Sequence, residues 1–155
     1  NLGAVAAHAG EKTLLIDGNL GQPQVHQRLG CPSAPGLAEL LRDPSAWSKG
    51  VQPTTVENLY LLPAGAGSSD VSAWFESAAF QAVLAQCQEA YERILLTVAP
   101  LEAGADAVVL ASRVETTCLL LTGGVSRLDA VVEAREALEA VEARVAGALL
   151  MNGRV

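Results

Sequence analysis

The stretch "LLIDGNLGQP" (14–23) delivers a carboxylate, Asp17, directly behind an apolar run, and places the amide Asn19 two positions further on. A strand that ends in an acid brings charge to the edge of a sheet, where it can hold a metal ion, take part in proton transfer or tie down the next turn. A second acid at position 19 would complete a pair of carboxylates. Asn19 keeps the shape of that acid but takes no proton and offers a cation no charge. The other candidates are scattered. His8 and His26 are the only histidines, and neither has a cysteine or acid at ligand spacing. Cys31, Cys87 and Cys118 lie far apart, as incidental thiols of a reducing compartment do. "TGGVS" (122–126) has the look of a phosphate loop. Two glycines between a strand and a helix are also ordinary turn chemistry, with Ser126 as the helix N-cap. No G-x-S-x-G elbow occurs.

These residues are set out by a regular alternation of elements. "TLLID" (13–17) is a short apolar run with an abrupt stop and predicts a parallel strand buried on both faces. Similar runs predict strands at 58–64, 93–99, 117–122 and 147–152. Between them, helical spacing predicts helices over 36–43, 72–91, 106–113 and 126–144, with Asp106 as the N-cap of the third. Phe80, Leu84, Cys87 and Tyr91 share one face of the second. Leu128, Val131, Leu138, Val141 and Val145 form a stripe on the last. "AGAGSSD" (64–70) is a loop. Strands alternating with helices predict an α/β fold, a three-layer sandwich with a mostly parallel sheet. In such sheets ligands gather at the carboxyl ends of the strands. That singles out Asp17 to Asn19, Ala64 and Gly65, Thr97 to Pro100, Gly123 and Gly124, and Asn152.

The bulk properties narrow the function. A chain of 155 residues is one domain's worth and can bury a real core. It is 50% hydrophobic and 17% charged, which argues against disorder. A net charge of -7 argues against nucleic acid, whose backbone calls for clustered Lys and Arg. No apolar run has membrane-span length and no signal peptide is visible. The sequence does not start with Met, which leaves its natural start open.

Taken in order, the strand ends resemble those of the bacterial tyrosine-kinase domain of capsule and exopolysaccharide export. That family belongs to the deviant P-loop ATPases, with division-site and plasmid-partition ATPases as cousins. "NLGAVAAHAGEKTLLIDGNLGQPQVHQRLG" resembles the stretch after the family's P-loop, through an acidic motif of the form D-x-D-L-R-x-P-x-x-H. "GVQPTTVENLYLLPAG" resembles the next strand and its Pro-Ala-Gly turn. "YERILLTVAPLEAGADAVVLAS" resembles the Walker-B strand, and "GALLMNGRV" the last strand, whose Asn reaches the adenine. The resemblance implies a P-loop-NTPase-like fold spanning 1–155, Mg-ATP as the family's cofactor, Asn152 as an adenine-binding residue and Asp17 as a catalytic and metal-binding residue.

The departures from that pattern point away from catalysis. The loop G-x-x-x-x-G-K-[ST] is absent from these residues. Asn19 stands at the second acid, Gly21 at the Arg, and Thr97 at the Walker-B Asp. Tyr60 and Tyr91 are the only tyrosines, so the family's tyrosine cluster is missing too. Asp17, Pro23, His26, Asp106 and Asn152 remain. More plainly read, Asp17 caps a turn, His26 lies on a short helix, and Asn152 eases an awkward dihedral before Gly153. The expectation is a degenerate module that binds no Mg-ATP by itself and regulates or docks in polysaccharide export. Its implied partners are a polysaccharide co-polymerase at the inner membrane and further copies of itself, on the cytoplasmic side. Trp74, Phe75 and Phe80 are candidates for its protein-binding surface, or else they pack beneath the 64–70 loop. The alternatives are a portion of an active autokinase whose P-loop lies upstream, and a partition-type ATPase.

Overall fold

The computed structural model of the chain describes residues 2–66 and 71–152. The chain forms two compact units, Asn1–Ala99 and Pro100–Val155. In the first, α1 (Leu2–His8) leads into β1 (Thr13–Asp17), followed by α2 (Val25–Leu29), α3 (Leu37–Arg42), α4 (Trp47–Gly50), β2 (Gln52–Pro53) and β3 (Leu59–Leu62). Then come α5 (Val71–Glu76), α6 (Ala78–Ala90) and β4 (Arg93–Thr97). The second unit holds α7 (Asp106–Ala111), β5 (Thr117–Thr122), α8 (Leu128–Ala140) and β6 (Val145–Met151).

The sheet of the first unit has the order β2-β3-β1-β4, and β1 is parallel to both neighbours. A mostly parallel α/β fold is what the alternating pattern requires. The one antiparallel element, β2, gives no sequence signal, because it is two residues long and contains Pro53. Proline is tolerated there because β2 is an edge strand. β1 is buried as predicted, with Leu14 and Ile16 fully enclosed. Its amino-terminal end is pinned to β4. Arg93 donates to both carboxylate oxygens of Glu11, at 2.7 and 3.2 Å, and Lys12 N donates to Glu92 at 2.7 Å. The ammonium of Lys12 lies 4.9 Å from the ring centre of Tyr91 and 5.7 Å from that of Tyr60. On the side away from β1, β4 meets no further strand among the described residues.

Three helix predictions need correction. The periodic stretch 72–91 is broken at Ser77, whose hydroxyl donates to Trp74 O at 2.6 Å and accepts from Phe80 N at 3.2 Å. Ser77 is thus the N-cap of α6, because a hydroxyl that satisfies an orphan N–H favours a fresh start over a continuous helix. Tyr91 lies just past that helix, and the buried face is Phe80, Val83 and Cys87. Phe75 and Phe80, expected on a protein-binding surface, are instead enclosed in the chain's own core. Phe75 and Phe80 are fully buried and stack edge to face at 5.2 Å, while Trp74 is half-buried with the Arg42 guanidinium 4.8 Å from its ring. Residues 67–70 of the proposed covering loop lie outside the described residues. In the second unit, α8 starts at Leu128 with Arg127 as its N-cap, and Ser126 instead accepts from Thr122 N at 2.9 Å. Asp106 is the first residue of α7, not its cap.

The second unit is a two-stranded parallel sheet, β5-β6, in register from Cys118↔Gly147 to Thr122↔Met151. Both strands form where the apolar runs predict them, but they are not buried on both faces: Leu120, Leu149, Leu150 and Met151 are exposed.

Candidate functional site

The register places Asp17 opposite Thr97, and Ile16 opposite Leu62, so the ends of β3, β1 and β4 lie side by side. At this edge backbones approach closely. Gly18 N donates to Thr97 O at 2.8 Å, and a Cβ on Gly18 would sit 2.7 Å from the same oxygen. Any other residue here would push β1 and β4 apart. Thr97 turns its hydroxyl back to the sheet and donates to Ile16 O at 3.3 Å.

Asp17 is 1% exposed. A carboxylate buried that far is tolerated only when hydrogen-bonded. One of its oxygens accepts from Asn19 N at 3.2 Å; the other accepts from Gln24 N at 3.2 Å and Val25 N at 3.1 Å. Asn19 is occupied in the same way, its side-chain oxygen accepting from Gln22 N at 3.1 Å. Leu20 is buried beneath the loop. Pro23 lies in the loop, and His26 follows in the first turn of α2 with its Nδ1 enclosed and without a hydrogen-bond partner among the described residues.

At the exit of β3, Ala64 and Gly65 are met by residues 36–39, which spacing alone did not single out. Leu37 N donates to Pro63 O and Ala38 N to Ala64 O, which stitches the start of α3 onto the chain leaving β3. Glu39 accepts from Gly36 N at 2.7 Å and from Ala66 N at 3.0 Å. A Cβ on Gly36 would lie 2.2 Å from Pro63 O, and Gly65 takes a φ of +84°. The signal that could have found Glu39 is "GLAE" (36–39), an acid three residues after a helix start, as in a capping box.

The donors at this edge suit a divalent cation poorly. Asp17 is the acid at the end of β1, and three of its lone-pair directions already accept N–H groups; Glu39, at the exit of β3, is tied to Gly36 N and Ala66 N. Asn19 and Thr97 carry no charge. Among the described residues no group of three His, Cys, Asp or Glu side chains is arranged to hold a metal. Asn152 lies exposed just past β6, in the second unit. "TGGVS" forms a turn in which Gly123 N donates to Met151 O at 2.9 Å. No helix among the described residues is long and apolar enough to cross a membrane.

No family model matches the chain. It is 29% identical over 159 residues to the tyrosine-protein kinase YwqD of Bacillus subtilis, which covers 99% of this chain and 65% of that protein. It therefore spans about two thirds of the relative's length. Among solved structures, the chimerical protein CapA2B2 superposes with a TM-score of 0.93 at 26% identity, over 99% of this chain and 68% of the other. The kinase domain of VpsO superposes with a TM-score of 0.89 at 29% identity, over 96% and 74%. The septum site-determining protein MinD of Pyrococcus horikoshii, at 20% identity and a TM-score of 0.74, shares the fold alone. The homologues of this chain are bacterial tyrosine-protein kinases, and its fold is that of the P-loop NTPase-like kinases.

Proposed function

We propose that this tyrosine-kinase-like module is non-catalytic by itself and regulates or docks within exopolysaccharide or capsule biosynthesis and export. The observation that carries the reading is the state of the carboxyl edge. The acid at the end of β1, Asp17, is taken up by three backbone N–H groups, Glu39 at the exit of β3 by two more, and Asn19 and Thr97 are neutral. Phosphoryl transfer depends on fixed phosphates and on charge at the metal, and positioning without charge does little. Asn152 is the proposed remnant of an adenine contact. The partner that fits the resemblance is the cytoplasmic segment of a polysaccharide co-polymerase, which would hold the chain at the inner face of the membrane, with copies of itself alongside. A net charge of -7 weighs against nucleic acid as a partner.

Titration calorimetry with Mg-ATP tests the reading. The expected result is no binding in the micromolar range. A micromolar dissociation constant, equivalent to about -8 kcal/mol, would overturn it. A second reading has one observation in its favour: the chain spans only 65% of YwqD. On that reading it is part of an active ATP-dependent autokinase whose phosphate-binding loop lies elsewhere in the polypeptide. A longer polypeptide carrying such a loop would then bind Mg-ATP and phosphorylate tyrosine.

A further inference from the structure

We infer that Asp17 serves this chain as a positioning residue, its carboxylate acting as an internal anion around which the loop 18–25 folds without a metal ion. The inference rests on the non-catalytic reading and sharpens it. Burial to 1% exposure takes the charge out of water, and the ion pairs among the described residues leave Asp17 out. What balances the charge is backbone. The donors come from two, seven and eight residues further along, so a single side chain closes the whole loop. Hydrogen bonds to a charged acceptor are among the stronger ones in proteins. The loop has further supports that need no ligand: Leu20 N donates to Gly18 O at 3.0 Å, and the Asn19 side chain holds Gln22 N. The N–H groups of Asn19, Gln24 and Val25 point inward onto Asp17, so they are spent and do not face a phosphate. The Mg-nucleotide chemistry implied by the resemblance and the donors of this loop therefore disagree. The disagreement is resolved if the acid has kept its place in the sheet while its work has passed from the metal to the backbone.

Amide hydrogen exchange followed by NMR on the whole chain tests this, with Mn²⁺ as a paramagnetic probe. In Asp17→Asn, exchange at Asn19, Gln24 and Val25 is expected to quicken by at least about tenfold, equivalent to about 1.4 kcal/mol, while Leu14 to Ile16 keep their protection. In the wild type, Mn²⁺ should broaden these loop amides no more than those beside the exposed acids of α8. Unchanged exchange in Asp17→Asn would overturn the inference. So would Mn²⁺ broadening centred on residues 17–19 that disappears in the variant. If the variant fails to fold, the wild-type Mn²⁺ titration still decides. Mg-ATP binding with the loop amides undisturbed would sink the non-catalytic reading and leave this inference standing.

Discussion

β1 and β6 draw on much the same apolar residues and end in opposite surroundings. β1, "TLLID", lies between β3 and β4 with α1 packed on it, and only Leu15 is not fully buried. β6, "VAGALLM", pairs with β5 alone, and every residue after Val145 is exposed, Leu150 to 75%. An apolar run therefore specifies the strand state and leaves burial undecided. Burial depends on how many neighbours the rest of the chain supplies. Among the described residues, the first unit has four strands and six α-helices for its core, and the second two strands and two α-helices. β4 stands between these extremes. Its edge toward β1 is paired, and between α1 and β4 lies a groove of about 310 Å³ lined by Leu2, Val5, Ala6, Glu11, Arg93 and Leu95.

The contrast is broken most directly by truncating one residue in each region. Phe80→Ala empties a fully enclosed site stacked on Phe75 and is expected to cost about 3–5 kcal/mol. Leu150→Ala removes a side chain that already faces water and should stay within about 0.5 kcal/mol of the parent. Urea denaturation of both variants measures the difference. Equal losses would show that β6 is covered in solution.

Backbone approach gives a second, smaller contrast. Gly36→Ala would drive a methyl to 2.2 Å from Pro63 O and 2.5 Å from Gly65 N, atoms that belong to backbone and cannot swing aside. Prising α3 off the exit of β3 should cost about 1–3 kcal/mol. At Gly123 the nearest atom to an added Cβ is Met151 O at 3.5 Å, an ordinary contact, so Gly123→Ala should be close to neutral. Thermal melts of the two variants provide the check. A third substitution raises stability. Glu142 holds a φ of 57°, a left-handed conformation that a side chain with a Cβ adopts at a cost. Glu142→Gly should therefore stabilise by about 1 kcal/mol in the same melts, and a loss would mean that the side chain is supporting its turn.

Much of the fold can be read from the sequence, because strand and helix periods are local. The run at 117–122 matches β5 end for end, and the runs at 13–17 and 93–99 locate β1 and β4 to within two residues. What escaped depends on particular hydrogen-bond and packing partners, which strand and helix periods do not encode. β2 exists because β3 offers an edge at Tyr60 and Leu61. The break at Ser77 exists because a hydroxyl can reach both Trp74 O and Phe80 N. At the candidate site, the plainer reading of Asp17 as a turn cap describes its hydrogen bonds well. The part of Glu39 as the tie between α3 and Ala66 was missed, since the second N–H that donates to it lies 27 residues away. The aromatic cluster was misjudged for the same reason: a count of aromatic side chains says nothing about which of them Arg42 will cover.

The smallest expected effect tests the contrast through cysteines. Cys87 on α6 is fully buried, and burial pushes its thiol up to about 12, whereas Cys118 on β5 is exposed. Only a thiolate reacts readily, so a thiol reagent at mildly alkaline pH should label Cys118 in the folded chain and reach Cys87 no faster than the protein opens. The same burial carries a pH signature. Below the unfolded value of roughly 8.5, Cys87 is protonated in both states and full stability is retained. Above it the unfolded chain can release the proton and the folded chain cannot, so stability falls as pH rises toward about 12. Between pH 8 and pH 9 the loss from this one group is about 0.7 kcal/mol. Urea midpoints at the two pH values should show that slope in the parent and in Cys118→Ala, and a reduced slope in Cys87→Ala. If Cys118→Ala were the variant that flattened it, the enclosed thiol would lie in the second unit, and the ordering of the two regions by burial would be reversed.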